Sequence, residues 1–332
     1  MKQYLTVTRL LILALFFFSA STVAELTASD VAATVSSAEQ GDPNSQYNLG
    51  LMYENGQGMP QNFQQAAFWY QKSALQGNSK AQFNLGFMYD NGSGVTQNFQ
   101  QAAYWYTQAA EQGDPYAQYN LGLMYDSGQG VTSDVKQAFL WINRAAKKGH
   151  AASQFTLGQM FTQGRGVTKD LKQAANWYGK AAELGDINAL FQLGILYQQG
   201  LGVEKDPTKA ADFIRKAAEL GHMPAQFNLS LMYQSGNGVS KDLVQAAKWM
   251  RKAAEQDNYE AQCNLGVMYA KGQGVPTDDV QAYAWLAVSA VNGNQIAVTN
   301  KELVASRLTP EKLTEAEALA LRYFNLYTKP RY

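Results

Sequence analysis

The stretch AQYNLGLMYDSGQGV, residues 117–131, recurs in nearly the same form seven times along this chain of 332 residues. The leucine of each copy stands 36 residues after the previous one, with no insertion between copies. These leucines are Leu49, Leu85, Leu121, Leu157, Leu193, Leu229 and Leu265. A fixed period of about 20 to 50 residues is typical of solenoids, in which one supersecondary unit is stacked many times.

Each copy predicts two helices joined by a glycine turn. In the third copy, Asp114 and Pro115 suit a helix N-cap and the first helical position, and Gly128 ends that helix. An Asn or Asp precedes the second helix in every copy, and a glycine follows it except at Asp257. A phosphate-binding loop would occur once, between a strand and a helix. The recurring Gly-x-Gly is therefore interpreted as a turn.

Aromatic and small residues mark the predicted core of the second helix. All six tryptophans fall in one column of the repeat, and Phe213 takes that place in the fifth copy. The tryptophans are Trp69, Trp105, Trp141, Trp177, Trp249 and Trp285. Two alanine columns run beside them, so we expect close helix packing with the indole rings filling the space between helices.

The segment AQYNLGLMYDSGQGVTSDVKQAFLWINRAAKKG, residues 117–149, resembles the Sel1-like repeat, a relative of the tetratricopeptide repeat. The resemblance extends from residue 41 to about residue 300. It implies an all-α fold, a right-handed α-solenoid of about seven 36-residue helix-turn-helix repeats. It also implies protein binding, and exported bacterial relatives are often tied to contact with host cells.

The two ends of the chain differ from the repeats. Residues 1–24 resemble a signal peptide, with Lys2 and Arg9 around the start of an apolar run and small residues before the expected cut after Ala24. An uncleaved membrane anchor is the alternative. We predict an N-terminal capping helix in residues 25–41, seven repeats in residues 42–300, and a C-terminal capping helix and tail in residues 301–332. In the last helix, a stripe of Leu313, Ala316, Ala320, Phe324 and Tyr327 is expected to cover the final repeat. The expected location is exported: periplasmic, or secreted and at the cell surface.

Charge and reactive residues favour no chemistry of their own. Lys and Arg number 27, as do Asp and Glu, and no basic stripe indicates nucleic-acid binding. The two histidines, His150 and His222, stand two repeats apart, too far to share a metal. The single cysteine, Cys263, replaces an aromatic residue in its column and is expected to be a buried thiol. We therefore predict no enzyme activity, no cofactor and no metal.

An amide column is the candidate binding site. Immediately before the repeat leucines stand Asn48, Asn84, Asn120, Thr156, Gln192, Asn228 and Asn264. Asn is a poor residue for the middle of a helix, so the column needs a reason. By analogy with tetratricopeptide solenoids, whose first helices line the concave surface, these amides with Phe87, Leu123 and Tyr116 would bind an extended peptide in a groove. The alternative is that the amides bond neighbouring repeats and stabilise the solenoid.

The predicted function is a non-catalytic protein-binding scaffold outside the cytoplasm, with host-cell interaction and virulence as one setting. The predicted partner is a host surface protein or an envelope protein. The first alternative is a periplasmic regulator or adaptor of cell-envelope enzymes. An alternative of a different class, a β-lactamase-like hydrolase, comes from cysteine-rich relatives of this repeat. Their paired cysteines are missing here, since Cys263 stands alone.

Overall fold

The computed structural model describes residues 27–328. The predicted signal peptide, residues 1–24, and the last four residues of the tail, 329–332, lie outside this range. The described chain contains 17 α-helices and no strand. In chain order they are α1 (Ala28–Glu39), α2 (Pro43–Asn55), α3 (Phe63–Leu75), α4 (Ser79–Asn91), α5 (Phe99–Glu111), α6 (Pro115–Ser127), α7 (Val135–Lys147), α8 (Ala151–Gln163), α9 (Leu171–Glu183), α10 (Ile187–Gln199), α11 (Pro207–Glu219), α12 (Met223–Ser235), α13 (Leu243–Ala254), α14 (Tyr259–Lys271), α15 (Asp279–Val291), α16 (Gln295–Ala305) and α17 (Pro310–Tyr327).

The helices form two compact units, one ending at Asp114 and the other beginning at Pro115. The first unit holds α1 to α5 and the second holds α6 to α17. Within each unit, helices up to α16 pack on their neighbours in the chain, and α17 returns to pack on α15. The even-numbered helices α2 to α14 are the first helices of the seven repeats, and the odd-numbered helices α3 to α15 are the second helices. The predicted fold class, an all-α solenoid of about seven helix-turn-helix repeats, is confirmed.

Polar caps begin the helices, as the sequence predicts. The Asn62 side chain accepts a hydrogen bond of 3.0 Å from the Gln65 backbone, and Asp134 accepts from two backbone amides of α7. Two first helices use an unexpected cap: Nδ1 of His150 and Nδ1 of His222 accept from the third residue of α8 and α12. His150 and His222 therefore cap these two helices, as Asn or Asp side chains do in other copies.

The second glycine of the Gly-x-Gly turn permits a close approach between repeats. Gly274 has a φ of 74°, and a Cβ at this position would overlap the Leu243 carbonyl at the start of the preceding second helix. Only glycine fits both the left-handed backbone and that contact. The turn therefore allows neighbouring repeats to pack closely, and its role is structural, as the sequence predicts.

The predicted core is confirmed. Each of the six tryptophans is at most 8% exposed, and the neighbouring alanines are buried. A glycine follows the repeat leucine in six copies, whereas the sixth copy carries Ser230, which its neighbours can accommodate. In the first repeat, a Cβ on Gly50 would lie 2.5 Å from the Tyr70 ring, but the chain places flexible Met250 where Tyr70 stands. The Ser230 hydroxyl donates to the Ala246 carbonyl at 2.7 Å, so the buried oxygen is satisfied.

The last helix covers the final repeat through a face slightly different from the predicted stripe. Ala316 is fully buried, and Tyr323 and Tyr327 stack on Trp285 with ring centres 4.5 and 5.5 Å away. Phe324 was expected on this face but is 37% exposed. The helix turns Tyr323 inward instead, because its flat ring lies against the indole.

Candidate functional site

The predicted binding residues lie on one face of the first helices, and the structure places them at or near the surface. Asn48 is exposed, while Asn84, Asn120, Gln192, Asn228, Asn264, Phe87 and Leu123 are half-buried. Tyr116 is 57% exposed. In the first unit, Asn84 and Phe87 share a face of α4. In the second unit, Tyr116, Asn120 and Leu123 lie along one face of α6.

Part of the amide column is engaged inside the fold. The Asn228 side chain donates to the Pro224 carbonyl in its own helix at 3.0 Å, and Thr156 donates to the Ala152 carbonyl at 2.8 Å. Burial and the Glu54 carboxylate raise the pKa of Tyr70, and its hydrogen bond to Asn84 in the next repeat opposes that rise. The column therefore takes part in bonds within the fold at these positions.

The amide column and the residues four before, three after and seven after each amide form one strip along the first helices, and aromatic rings flank this strip in the second unit. His150 packs against Tyr116 and Tyr119, with ring centres 4.9 and 5.0 Å apart. Burial lowers the pKa of His150 to about 4, so its ring is neutral near pH 7. A neutral Nδ1 can accept the Ser153 backbone hydrogen bond, and the cap depends on that state.

One link between repeats is a glutamine pair that was not predicted from the sequence. Buried Gln82 donates to the Ala74 carbonyl, the C-terminal end of α3, at 3.1 Å. Gln112, which follows α5, donates to Oε1 of Gln82 at 2.7 Å and to the Gly77 carbonyl at 3.0 Å. One relay thus joins the ends of two successive second helices through the first helix between them.

Other repeats contain the same pair of hydrogen-bonded side chains, which we call the clip. Gln46 with Gln76 and Gln226 with Gln256 make the same bonds, and Asn292 takes the second place opposite Gln262 with longer contacts of 3.5 Å. The clip was visible in the sequence as a Gln column three residues before the repeat leucine. The column alone does not predict the pair, because Gln carries no helical signal and its partner stands 30 residues away.

A second missed feature is a cation over each of four indoles, three residues after it. The cationic groups of Lys72, Arg144, Lys180 and Lys252 lie 4.8, 4.5, 4.2 and 4.5 Å from the ring centres of Trp69, Trp141, Trp177 and Trp249. Such contacts contribute roughly 0.5–1 kcal/mol at exposed sites. The i, i+3 spacing of aromatic and cation is the signal that would have shown them.

Reactive residues do not converge in the part of the chain that the structure describes. No three His, Cys, Asp or Glu side chains among residues 27–328 are grouped to hold a metal ion. Cys263 is buried at 5% exposure, as predicted, and burial raises the pKa of its thiol. None of the helices described is both long enough and apolar enough to span a bilayer.

Comparisons with known proteins agree with the repeat geometry. A model of the Sel1 repeat matches residues 43–78, 79–114, 115–150, 151–186, 187–222, 224–258 and 260–294. A solved Sel1 repeat protein from Oxalobacter formigenes is 36% identical, with a TM-score of 0.66, over 82% of this chain and 78% of that one. A protective antigen present in uropathogenic Escherichia coli strains, with an SLR fold, is 28% identical, with a TM-score of 0.52, over 90% of this chain and 95% of the antigen. No curated protein matches the chain.

Proposed function

We propose that this chain, which belongs to the Sel1-repeat family, is a non-catalytic scaffold that binds a protein or an extended peptide outside the cytoplasm. Sel1-repeat scaffolds are typically protein-interaction modules. The proposal adds a surface, the amide and apolar strip on the first helices, and a setting, the cell exterior or periplasm.

The observation that carries the proposal is the pairing of an amide with an apolar side chain one turn later. In α12 the pair is Asn228 and Leu231, and in α14 it is Asn264 and Val267. Leu231 is 37% exposed, so its side chain is accessible for contact with a partner. An amide offers donors and an acceptor to a peptide group, and the apolar neighbour offers contact to a side chain.

Charge on the strip favours a neutral partner segment. Within the second unit, the strip's charged residues are Glu260 and Lys271, both on α14. A pocket that clamps a carboxylate needs a cluster of cations. The strip therefore suits the main chain of an extended segment better than a charged terminus.

The test compares two double variants of the mature chain. Asn228→Ala with Asn264→Ala alters the strip, and Gln173→Ala with Lys248→Ala alters exposed side chains on second helices. Partners are first captured in parallel from envelope extract and from host-cell membranes, and their Kd is then measured by surface plasmon resonance. We expect the strip variant to weaken binding about tenfold with an unchanged Tm, and the control to bind normally. A lower Tm with intact binding would assign the strip a purely structural role.

Export is the second part of the proposal, supported by the pattern of residues 2–24. Host contact receives support from the 28% identical relative, which is itself a protective antigen. Fractionation and mass measurement of the mature chain test both. A chain that starts at Glu25 on the surface or in the medium favours a host partner, whereas a periplasmic chain favours the regulator of envelope enzymes. A nitrocefin turnover assay tests the non-catalytic assignment.

A further inference from the structure

A cleft of about 790 Å³ opens between the second helices α9 and α11 of the second unit. Its floor is formed by Leu190, Leu193 and Tyr197 of α10, and one wall is Phe213. Mostly apolar clefts of roughly 300–1,000 Å³ are the usual form of ligand sites. The cleft shares no residue with the amide strip.

Phe213 is one reason why the cleft exists. The other six repeats place tryptophan at this position, and each of those indoles is at most 8% exposed. Phe213 is half-buried, with its ring stacked at 5.7 Å on Tyr197. The Lys216 ammonium lies 5.8 Å from the Phe213 ring centre, farther than the 4.2 Å of Lys180 over Trp177. Because the phenyl ring is smaller than an indole, it leaves open part of the space that tryptophan fills in the other six repeats. We call this space the seat.

Two further departures from the repeat widen the same cleft. Gly179 stands within α9, and a Cβ there would meet no atom within 4 Å. The two following repeats carry Arg215 and Arg251 at this position. Leu190 and Leu220, both in the cleft lining, replace the two glutamines of the clip, so the amide relay gives way to apolar surface. Several independent columns thus change together at one junction.

The surroundings indicate what the cleft would accept. Lys172, Lys216, Glu183 and Glu219 line it with exposed side chains, so the rim carries two charges of each sign. A hollow of about 400 Å³ shares Tyr197 and Val203 with the cleft and is lined by charged side chains, among them Glu204 and Lys209. An apolar seat beside a polar hollow fits an aromatic ring carried on a polar chain.

We propose that this cleft binds an aromatic group of the indole class from a ligand, which packs against Phe213 in the space that this smaller ring leaves open where the other six repeats carry tryptophan. Apolar cavities in proteins take up aromatic molecules, because the ring regains dispersion contacts that water does not provide. Lys216 would lie over the face of the bound ring, as Lys180 does over Trp177. The indole comes either from a free small molecule or from a tryptophan side chain of a polypeptide.

The test titrates the full mature chain with three probes by calorimetry: indole, N-acetyltryptophanamide and a short peptide with one central tryptophan. N-acetylleucinamide is the control probe. We expect the wild-type chain to bind the indole probes and Phe213→Trp to bind them at least tenfold more weakly, because the new side chain fills the seat. Phe213→Trp should melt no lower than the wild type, which shows that it is folded. Tighter binding of the peptide identifies a polypeptide source, whereas equal or tighter binding of free indole identifies a small molecule.

Two further variants separate the cleft from general packing effects. Gly179→Arg introduces the residue of the following repeats and leaves Phe213 unchanged, and we expect the same loss of binding. Trp249→Phe makes the same size change in the next repeat, where Arg215 and the Gln226–Gln256 pair are present, and should create no second site. Equal affinity of the wild type and Phe213→Trp, or no binding of indole probes to the wild type, would overturn the proposal.

Discussion

The side-chain amide of Gln256 donates a hydrogen bond of 2.8 Å to Oε1 of Gln226, which is 4% exposed. Gln226 donates in turn to the Ala218 carbonyl at 3.1 Å, and Gln256 also donates to the Gly221 carbonyl at 3.1 Å. The pair joins the ends of α11 and α13 through α12. The dependence is unequal: removal of Gln256 leaves buried Oε1 of Gln226 without this donor, whereas removal of Gln226 leaves Gln256 its bond to the Gly221 carbonyl.

The first prediction concerns this dependence. Gln226→Leu removes one bond of the Gln256 amide and one bond of the Ala218 carbonyl, each of which keeps another partner, and we expect a loss of about 0.5–1.5 kcal/mol in the free energy of unfolding. The double variant Gln226→Leu with Gln256→Leu copies the natural Leu190 and Leu220 pair. It should lose less than the sum of the two single changes, measured by urea unfolding as a double-mutant cycle. Strictly additive losses would show that the two side chains are independent.

The second prediction completes a clip that lacks one member. Buried Oε1 of Gln154 has no hydrogen-bond partner among the described residues, and the place of its partner is taken by Leu184, which is 56% exposed. Leu184→Gln supplies the missing donor, so we expect a gain of about 0.5–1.5 kcal/mol in the free energy of unfolding. Leu220→Gln is the matched control, since it faces Leu190 and has no amide to meet. An equal gain in both variants would attribute the effect to the added polar side chain alone.

These examples show how far the sequence predicts the structure. The helices, their caps and the buried tryptophans follow from local rules repeated on one register, so residues such as Asn62, Gly128 and Trp105 are predictable one by one. The Gln226–Gln256 pair is not predictable in this way, because its two members are 30 residues apart and each is an ordinary polar residue. The predicted stripe places Phe324 on the packed face, whereas the structure places Tyr323 there. Contact with Trp285 decides between the two residues, and periodicity does not show that contact.

The third prediction is a loss of stability at low pH. Burial lowers the pKa of His150 to about 4 from an ordinary value of 6.5, so the folded chain prefers the neutral ring. The stability that this provides is complete above pH 6.5 and is lost as the pH falls towards about 4. We expect the loss to be on the order of 2–3 kcal/mol.

The control for this prediction keeps the cap and removes the titration. In the second repeat Asn78 caps the first helix with a 3.0 Å hydrogen bond from the Ala81 backbone, so His150→Asn should cap α8 equally well. Thermal melts from pH 7.5 to pH 4 should show a smaller fall in Tm for His150→Asn than for the wild type. Parallel curves would mean that His150 does not govern this part of the pH profile.

The fourth prediction separates backbone strain from steric overlap at two glycines. Gly221 has a φ of 91° and open space where a Cβ would lie, so Gly221→Ala should cost only the left-handed backbone strain, about 1–2 kcal/mol. Gly274 has a φ of 74°, and a Cβ would also overlap the Leu243 carbonyl. We expect Gly274→Ala to cost about 1–3 kcal/mol more. Chemical denaturation of both variants measures the difference, and equal losses would rule out the close contact.

The proposed binding surface was predictable only in outline. The sequence identified the amide column, but whether a given amide faces a partner or its own fold depends on neighbours that the repeat pattern does not reveal. Asn228 bonds the Pro224 carbonyl in its own helix, whereas Asn84 bonds Tyr70 in the preceding repeat. The aromatic cleft was within reach of the sequence, because Phe213, Gly179 and Leu190 are each visible as exceptions in their columns. Only the structure shows that the three exceptions meet.

The seal formed by Tyr323 and Tyr327 over Trp285 bears on how such a chain can change its length. If a gene duplication inserted one more 36-residue repeat between existing ones, the new repeat would pack against the same kind of neighbour on both sides. The contact of α17 with Trp285 would be unchanged. A further repeat packed directly on α15 would need the face that α17 covers, so it would have to displace the two tyrosines first. Duplication of internal repeats can therefore lengthen such a protein without any change in its terminal helix.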